Sequence, residues 1–476
     1  MAEFSRIASG IKGLDQILAG GFIGGGSYII QGRPGSGKTI FSNQVAFHHV
    51  ASGGRVLVVT LLSESHDRLF QALGTLDFFD PAKLGQEISY VSVFQPLREG
   101  GLDAVVNLLR KETKRQEATL LVFDGLLNAR DRANTDFDVK TFVAEVQGQA
   151  AFVGCTVLFL TSASLEDTSP EHTMVDGVIT LSDMLTDVRT VRQLQVRKSR
   201  GSNALGGLHK FEIDQRGVTV YPRIEALYAA ASSATEAGND RLGSGVPQLD
   251  ALMGGGIPEG SVTLVTGPTG SGKTTLGLHF LAQASTEEPS LHFGFFETEE
   301  RLRLKAAGQG IQLPDRASSD FTVRWHPLAE NLVDKLAHDL IDEVRERGIK
   351  RLFIDGFAGF ERAAVHRNRL VEFFAILANQ LRALGVTTLA TWEIREITGP
   401  TVWAPAADIS AILDNLILLR QFEEDHELQR TISIQKMRES AFDTASRRLS
   451  FSLSGLTIGD RLGAAAIDPS APLVSD

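Results

Sequence analysis

Two eight-residue stretches, GRPGSGKT (Gly32–Thr39) and GPTGSGKT (Gly267–Thr274), differ only at their second and third positions. The likeness extends well beyond them. RIASGIKGLDQILAGGF (Arg6–Phe22) matches RLGSGVPQLDALMGGGI (Arg241–Ile257), and each is followed by a β-rich run, SYIIQ or SVTLVT, that leads into the glycine loop. After each loop come an amphipathic helical stretch and a second strand, RVLVVTLL or SLHFGFFE. A third strand ends in an acid: ATLLVFDG with Asp124, and KRLFIDG with Asp355. Then follow CTVLFLTS or VTTLATWE and, late in each half, LQVRKSRGS or ISIQKMRES. A repeat of this length constrains the chain to two similar folding units, which suits 476 residues. Short β-branched strands alternating with helices predict an α/β fold, each unit a mostly parallel sheet with helices on both faces. The expected division is 1–224 for the first domain, 225–240 for a small, polar linker, 241–458 for the second domain, and 459–476 for a loose tail.

G-x-x-x-x-G-K-T is the phosphate-binding loop pattern. Its glycines let successive backbone N–H groups converge on phosphate oxygens, and the helix that follows adds the positive end of its dipole. The expected nucleotide-binding residues are Gly32, Gly35, Ser36, Gly37, Lys38 and Thr39 in the first half. In the second half they are Gly267, Gly270, Ser271, Gly272, Lys273, Thr274 and Thr275. Lys38 and Lys273 would contact the β- and γ-phosphates of ATP, and the Thr39 and Thr274 hydroxyls would hold Mg²⁺. Asp124 and Asp355 stand at the Walker B position, where a carboxylate holds Mg²⁺ through water. The plain alternative for such an Asp is a cap on the next helix.

Hydrolysis or phosphotransfer needs a further carboxylate to orient or deprotonate the attacking hydroxyl. Glu297 stands at the end of the second strand of the second half, and its bland alternative is a solvated charge beside Glu299 and Glu300. The same place in the first half reads Ser63-Glu64. A serine is no carboxylate base, which leaves Glu64 as the first-half candidate.

The double loop, the GLD…GGG approach to it, the acids after the second strand and the K-x-R motifs together resemble the KaiC family of clock ATPases and autokinases, within the RecA-like ATPases. The resemblance covers Arg6 to about Ile458. It implies two tandem RecA-like P-loop NTPase domains, ATP and Mg²⁺ as cofactors, and a homohexamer with ATP bound between subunits. Lys198 and Arg200, and Lys436 and Arg438, match the motif that reaches the neighbour's nucleotide. An Arg and a Lys delivered across an interface can neutralise phosphate charge; the bland alternative is a basic strand end in solvent. The family's T-x-E pattern is kept as Thr391-Trp392-Glu393, which makes Glu393 a second catalytic candidate, whereas the first half is read as Thr161-Ser162-Ala163. The expectation is a first domain that binds ATP and hydrolyses it poorly, and a catalytically intact second domain. One departure there is Glu439, where the motif has Gly.

The resemblance also implies serine/threonine autokinase activity. Ser410 matches the family's acceptor serine, but Ala411 replaces the adjacent threonine, so an ordered two-site cycle cannot run. With a short tail as well, the chain is expected to be a KaiC-like signalling or timing protein outside the full clock, with a KaiB-like or other signalling protein as partner.

Two other readings compete. One is a DNA-handling ATPase of the recombinase type. Against it stand a net charge of −11, no zinc-ribbon cysteines and no basic loop interleaved with aromatics, so DNA is not an expected partner. The other is a scaffold that ATP holds together, with incidental turnover. The single cysteine, Cys155, lies in an apolar run and points to a reducing compartment. MAEFSRIASG lacks the apolar core of a leader, and no stretch is apolar enough to span a bilayer. The expected location is cytoplasmic, with no membrane contact.

Overall fold

The computed structural model describes residues 5–61, 66–126, 135–162, 169–186, 188–229, 240–394, 412–424, 426–438, 440–453 and 455–462. The chain divides into two units, Met1–Leu227 and Tyr228–Asp476.

In the first unit the main elements are β1 (Ser27–Gln31), α1 (Lys38–Ala51), β2 (Val56–Thr60), β3 (Ile88–Ser92), α2 (Phe94–Gln116), β4 (Leu120–Asp124) and α3 (Asp136–Phe152). They continue with β5 (Thr156–Thr161), β6 (Gly177–Thr186), β7 (Arg189–Ser199), β8 (His209–Asp214) and β9 (Gly217–Tyr221). One sheet holds all nine strands in the order β9-β8-β7-β6-β1-β5-β4-β2-β3. From β6 to β3 every pairing is parallel. From β6 to β9 every pairing is antiparallel. The runs of Val and Leu are explained by burial on both faces. Along β2, Val56 and Val58 join one core cluster while Leu57 and Val59 join another.

The second unit repeats this plan with β10 (Val262–Gly267), α4 (Lys273–Leu281), β11 (Ser290–Gly294), α5 (Glu299–Ala307), β12 (Phe321–Trp325), α6 (Val333–Arg347) and β13 (Arg351–Asp355). It ends with α7 (Ala358–Ala363), α8 (Leu370–Ala383), β14 (Thr387–Glu393), β15 (Asn415–Glu424), β16 (Glu427–Met437), β17 (Arg447–Ser452) and β18 (Gly455–Arg461). The order is β12-β11-β13-β14-β10-β15-β16-β17-β18, again parallel on one side of β15 and antiparallel on the other.

Two expectations need adjusting. The last strand runs to Arg461 and pairs with β17, so it enters the segment expected to be a loose tail. The reason is packing: Leu456 and Ile458 are buried in the core. A short helix, Ile224–Leu227, likewise occupies the start of the expected linker. Among the described residues no helix is long and apolar enough to cross a membrane.

Candidate nucleotide sites

Each glycine loop leaves a central strand and ends at a helix N-terminus. β1 and β10 lie mid-sheet, and α1 and α4 begin at Lys38 and Lys273. The residues before them, Gly37 and Gly272, have φ of 98° and 103°, a left-handed conformation that L side chains rarely adopt. Gly35 has nothing within 4 Å of where a Cβ would sit, so the middle of that loop opens to solvent. Both lysines curl back over their own loops. Lys38 Nζ donates to Gly32 O at 2.8 Å and Arg33 O at 3.0 Å. Lys273 Nζ donates to Gly267 O and Pro268 O, each at 2.7 Å. Burial lowers both lysine pKa values, against an upward pull from Asp124 on Lys38 and from Glu393 and Asp355 on Lys273. Ser36 Oγ and Ser271 Oγ are buried without a hydrogen-bond partner among the described residues.

The two Walker B carboxylates have different surroundings. Asp355 Oδ2 accepts from Thr274 Oγ1 at 3.0 Å, and Oδ1 accepts from Thr391 Oγ1 at 2.8 Å. Thr391 in turn accepts from the Gly356 N–H at 2.8 Å. Burial pushes the Asp355 pKa upward, but His292, Thr391 and Thr274 outweigh it, and the carboxyl lies below its ordinary value. Asp124 accepts no side-chain hydrogen bond among the described residues. Its pKa is raised by burial, with Lys38 pulling the other way.

Strand register corrects one sequence alignment. Gly267 pairs with Glu393 across β10 and β14, while Gln31, the residue before Gly32, pairs with Thr161 across β1 and β5. Ser162 is therefore the counterpart of Glu393, and Leu160 the counterpart of Thr391. The sequence reading of Thr161-Ser162-Ala163 was one residue late. The error matters because a one-residue slip in a strand exchanges its faces. Leu160 is 1% exposed and belongs to the core, so Asp124 lacks the hydroxyl that Asp355 has.

A cleft of about 1130 Å³ opens over the second loop, and its walls include Lys273, Thr274, Glu297, Lys305, Asp355 and Glu393. The sequence candidates for the second site thus come together. Lys305 on α5, which sequence reasoning missed, forms an ion pair with Glu297. No local spacing signalled it, because Glu297 precedes the helix and stands 8 residues before Lys305, beyond the i, i+3 and i, i+4 spacings that pair side chains on one helix. Phe296 also lines the cleft, over Gly356. The β15–β16 hairpin braces the loop: Gln421 Nε2 donates to Thr269 O at 3.1 Å and Arg430 Nε to Gly270 O at 3.0 Å.

The K-x-R residues lie elsewhere. Arg200 N donates to Asp176 O, and Asp176 N to Ser27 O, which sets Arg200 level with the start of β1. Arg438 is set level with Val262 in the same way through Asp414. Each motif is thus a strand's length, ~16 Å at about 3.3 Å per residue, from its own unit's loop. Lys198 Nζ donates to His172 O at 2.6 Å, and Arg200 Nη2 to Thr173 O at 3.0 Å. Lys436 Nζ donates to Leu413 O at 2.7 Å, and Arg438 pairs with Asp414 at 3.5 Å. Ser63, Glu64, Ala163, Ser410, Ala411 and Glu439 lie outside the described residues.

The family described as "ATPase: KaiC" matches residues 7–225 and 242–462, which contain both loops, both Walker B acids and both K-x-R motifs. The chain belongs to the KaiC family. It is thereby an ATP-binding P-loop ATPase built from two tandem RecA-like domains. Among its relatives, "Circadian clock oscillator protein KaiC" of Prochlorococcus marinus is 24% identical over 474 residues, 96% of this chain and 93% of the relative. The protein of that name in Synechococcus elongatus is 26% identical over 473 residues, 96% and 89% of the two chains. That of Acaryochloris marina is 26% identical over 487 residues, 95% and 88%.

The residues present fit Mg²⁺ with ATP. Among the described residues no group of three or more His, Cys, Asp or Glu is placed to hold a metal by itself. A P-loop site needs none, because it supplies one hydroxyl and one carboxylate and leaves the rest to phosphate and water. In the second unit that pair is Thr274 and Asp355, already 3.0 Å apart.

Proposed function

We propose that both loops bind Mg·ATP, that the second site hydrolyses it, and that the first is kept mainly to hold an assembly together. The observation that carries this reading is the contrast around the two Walker B acids. Asp355 is fixed by Thr274 and Thr391 in a cleft shared with Glu297 and Glu393, whereas Asp124 faces Leu160 and has Ser162 where Glu393 would be. In the second site Lys273 binds the β- and γ-phosphates, while Thr274 and Asp355 hold the ion and its water. Glu297 orients the attacking hydroxyl, and Glu393 stands at the strand end beside the loop. Bound Mg²⁺ supplies positive charge against the phosphate oxygens.

The K-x-R residues act in trans, because each lies at the far end of its own sheet. Lys198 and Arg200 would serve a neighbour's first site, and Lys436 and Arg438 its second. A homohexamer satisfies this need, and family membership favours it. Autokinase activity with Ser410 as acceptor, a KaiB-like or signalling partner, a signalling or timing role and a cytoplasmic location rest on the family alone.

The test is phosphate release by the full chain. Glu297→Gln should lower turnover by about 10²–10⁴-fold, and Lys273→Ala should abolish most of it. Lys38→Ala should weaken assembly, read by sedimentation, and second-site turnover should fall as subunits separate and recover at high protein concentration. Unchanged turnover in Glu297→Gln would remove Glu297 from the mechanism. Incubation with labelled ATP tests the kinase arm: label that survives Ser410→Ala excludes that residue as the main acceptor.

A further inference from the structure

His292, in the middle of β11, is 1% exposed, and neither ring nitrogen has a hydrogen-bond partner among the described residues. A buried polar ring without partners is costly and unusual enough to need a cause. The strand geometry supplies one. His292 pairs with Phe353 and Gly294 with Asp355 across β11 and β13. Side chains two apart on a strand share a face, so His292 lies on the same face as Asp355, one position back along the neighbouring strand. The ring leans along the strand over Gly294, where an added Cβ would stand 2.3 Å from His292 Cε1. Gly294 is a glycine with no left-handed φ, so space rather than backbone conformation accounts for it. The result is Nε2 at 4.0 Å from Asp355 Oδ2, the oxygen that accepts from Thr274. Phe353 meets the ring edge-on at 5.6 Å and keeps it from turning away. The first unit has none of this. Register places Val58 at the position of His292 and Thr60 at that of Gly294.

We propose that His292 is a positioning residue of the second site: it fills the space over Gly294 into which Asp355 could otherwise swing, presents Nε2–H to Oδ2, and so keeps the carboxylate turned toward Thr274. It touches no substrate and acts through Asp355. The inference rests on the reading of Asp355 and Thr274 as the Mg²⁺-holding pair.

The test uses the full chain carrying Lys38→Met, which closes the first site, with Mn²⁺ and a non-hydrolysable ATP analogue as probes. Mn²⁺ affinity is read by electron paramagnetic resonance, and folding by the melting temperature. His292→Val introduces the residue that the first unit carries at this position. It should weaken Mn²⁺ about tenfold, as loss of an outer-sphere partner does, while analogue affinity without metal and the melting temperature hold or rise. His292→Gln keeps an N–H at similar reach and should recover Mn²⁺ affinity to within about threefold of the parent. A His292→Val protein that binds Mn²⁺ within about twofold of its parent, well inside the outer-sphere effect, overturns the inference, as does a Gln variant no better than Val. A parent that binds no Mn²⁺ with the analogue overturns the site reading and this inference together. Glu297→Gln separates the chemistry: it should bind Mn²⁺ normally, and full turnover in that variant would overturn the role of Glu297 while leaving the His292 result intact.

Discussion

Thr391 donates its hydroxyl proton to Asp355 at 2.8 Å, and the counterpart of Thr391 in the first unit is Leu160. A hydrogen bond to a charged group contributes about 1.5–3 kcal/mol. Thr391→Val keeps the shape and removes the donor. Single-turnover phosphate release should slow by roughly tenfold or more. Because the variant also leaves the buried Gly356 N–H without its acceptor, the second unit should melt a few degrees lower. A Val variant as fast as the parent would show that Asp355 needs no such support.

The converse exchange can be made in the first unit. Leu160→Thr with Ser162→Glu restores the hydroxyl and the carboxylate that strand register aligns with Thr391 and Glu393. In a Lys273→Ala background, which silences the second site, this pair should raise the residual phosphate release above that of Lys273→Ala alone. No rise would mean that first-site turnover is limited elsewhere.

Lys305 occupies the Glu297 carboxylate in the cleft wall, with the two side chains 34% and 23% exposed. An ion pair this open to water is worth ~0.2–1 kcal/mol. Lys305→Met should free Glu297 and raise turnover by no more than about fivefold. Salt should raise the parent's rate relative to the variant's, because screening weakens an ion pair that only the parent has. A slower variant would instead make Lys305 part of the productive site.

Cys155 is fully buried, and burial pushes its thiol pKa up to about 12. The thiolate is the reactive form, so iodoacetamide at pH 8 should not label the native protein. Labelling across a urea titration should follow unfolding of the first unit, since Cys155 packs in a core cluster there. Rapid labelling without denaturant would contradict that burial.

His279 on α4 accepts the Leu456 N–H at 3.1 Å and so ties the P-loop helix to β18. Burial lowers its pKa below the ordinary 6.5. The neutral ring is the one that accepts, so its contribution is complete above pH 6.5 and is lost as pH falls from there through the folded-state value. Urea melts at pH 7.5 and pH 5.5 should show the second unit weakening with acid. His279→Gln, which keeps an acceptor but does not titrate, should show a shallower dependence; an unchanged slope would assign the effect to other groups.

Much of the fold was legible because it is local and repeated. The glycine loops, the apolar strands that lead into them and the acids at Asp124 and Asp355 each carry their signal within a few residues. Glu297 was reachable as an acid at the end of the strand after the P-loop helix, where a carboxylate can meet the attacking hydroxyl, and Glu393 only through the family's T-x-E pattern. Pairwise facts across strands were not reachable. No pattern in VTTLATWE tells whether Thr391 or Trp392 faces Asp355, and the same doubt put the first-unit comparison one residue off. The antiparallel half of each sheet was also hidden, because a hairpin and a crossover strand look alike in composition when both are buried.

The sequence by itself determined that the chain is two copies of one ATP-binding unit, since a duplicated loop in strand–loop–helix context allows little else. It also determined that the copies differ, because neither Ser63 nor Ala163, the residues it set against Glu297 and Glu393, can stand in for a carboxylate. The tertiary structure decided how they differ. Strand register brings Thr391 and His292 to Asp355, where the loop helix delivers Thr274, and sets Asp124 between Thr60 and Leu160 instead. It also sends each K-x-R motif to the end of the sheet remote from its own loop. Hydrogen bonding and burial depend on which residues lie opposite one another, and that is set by pairing between distant segments rather than by any one of them.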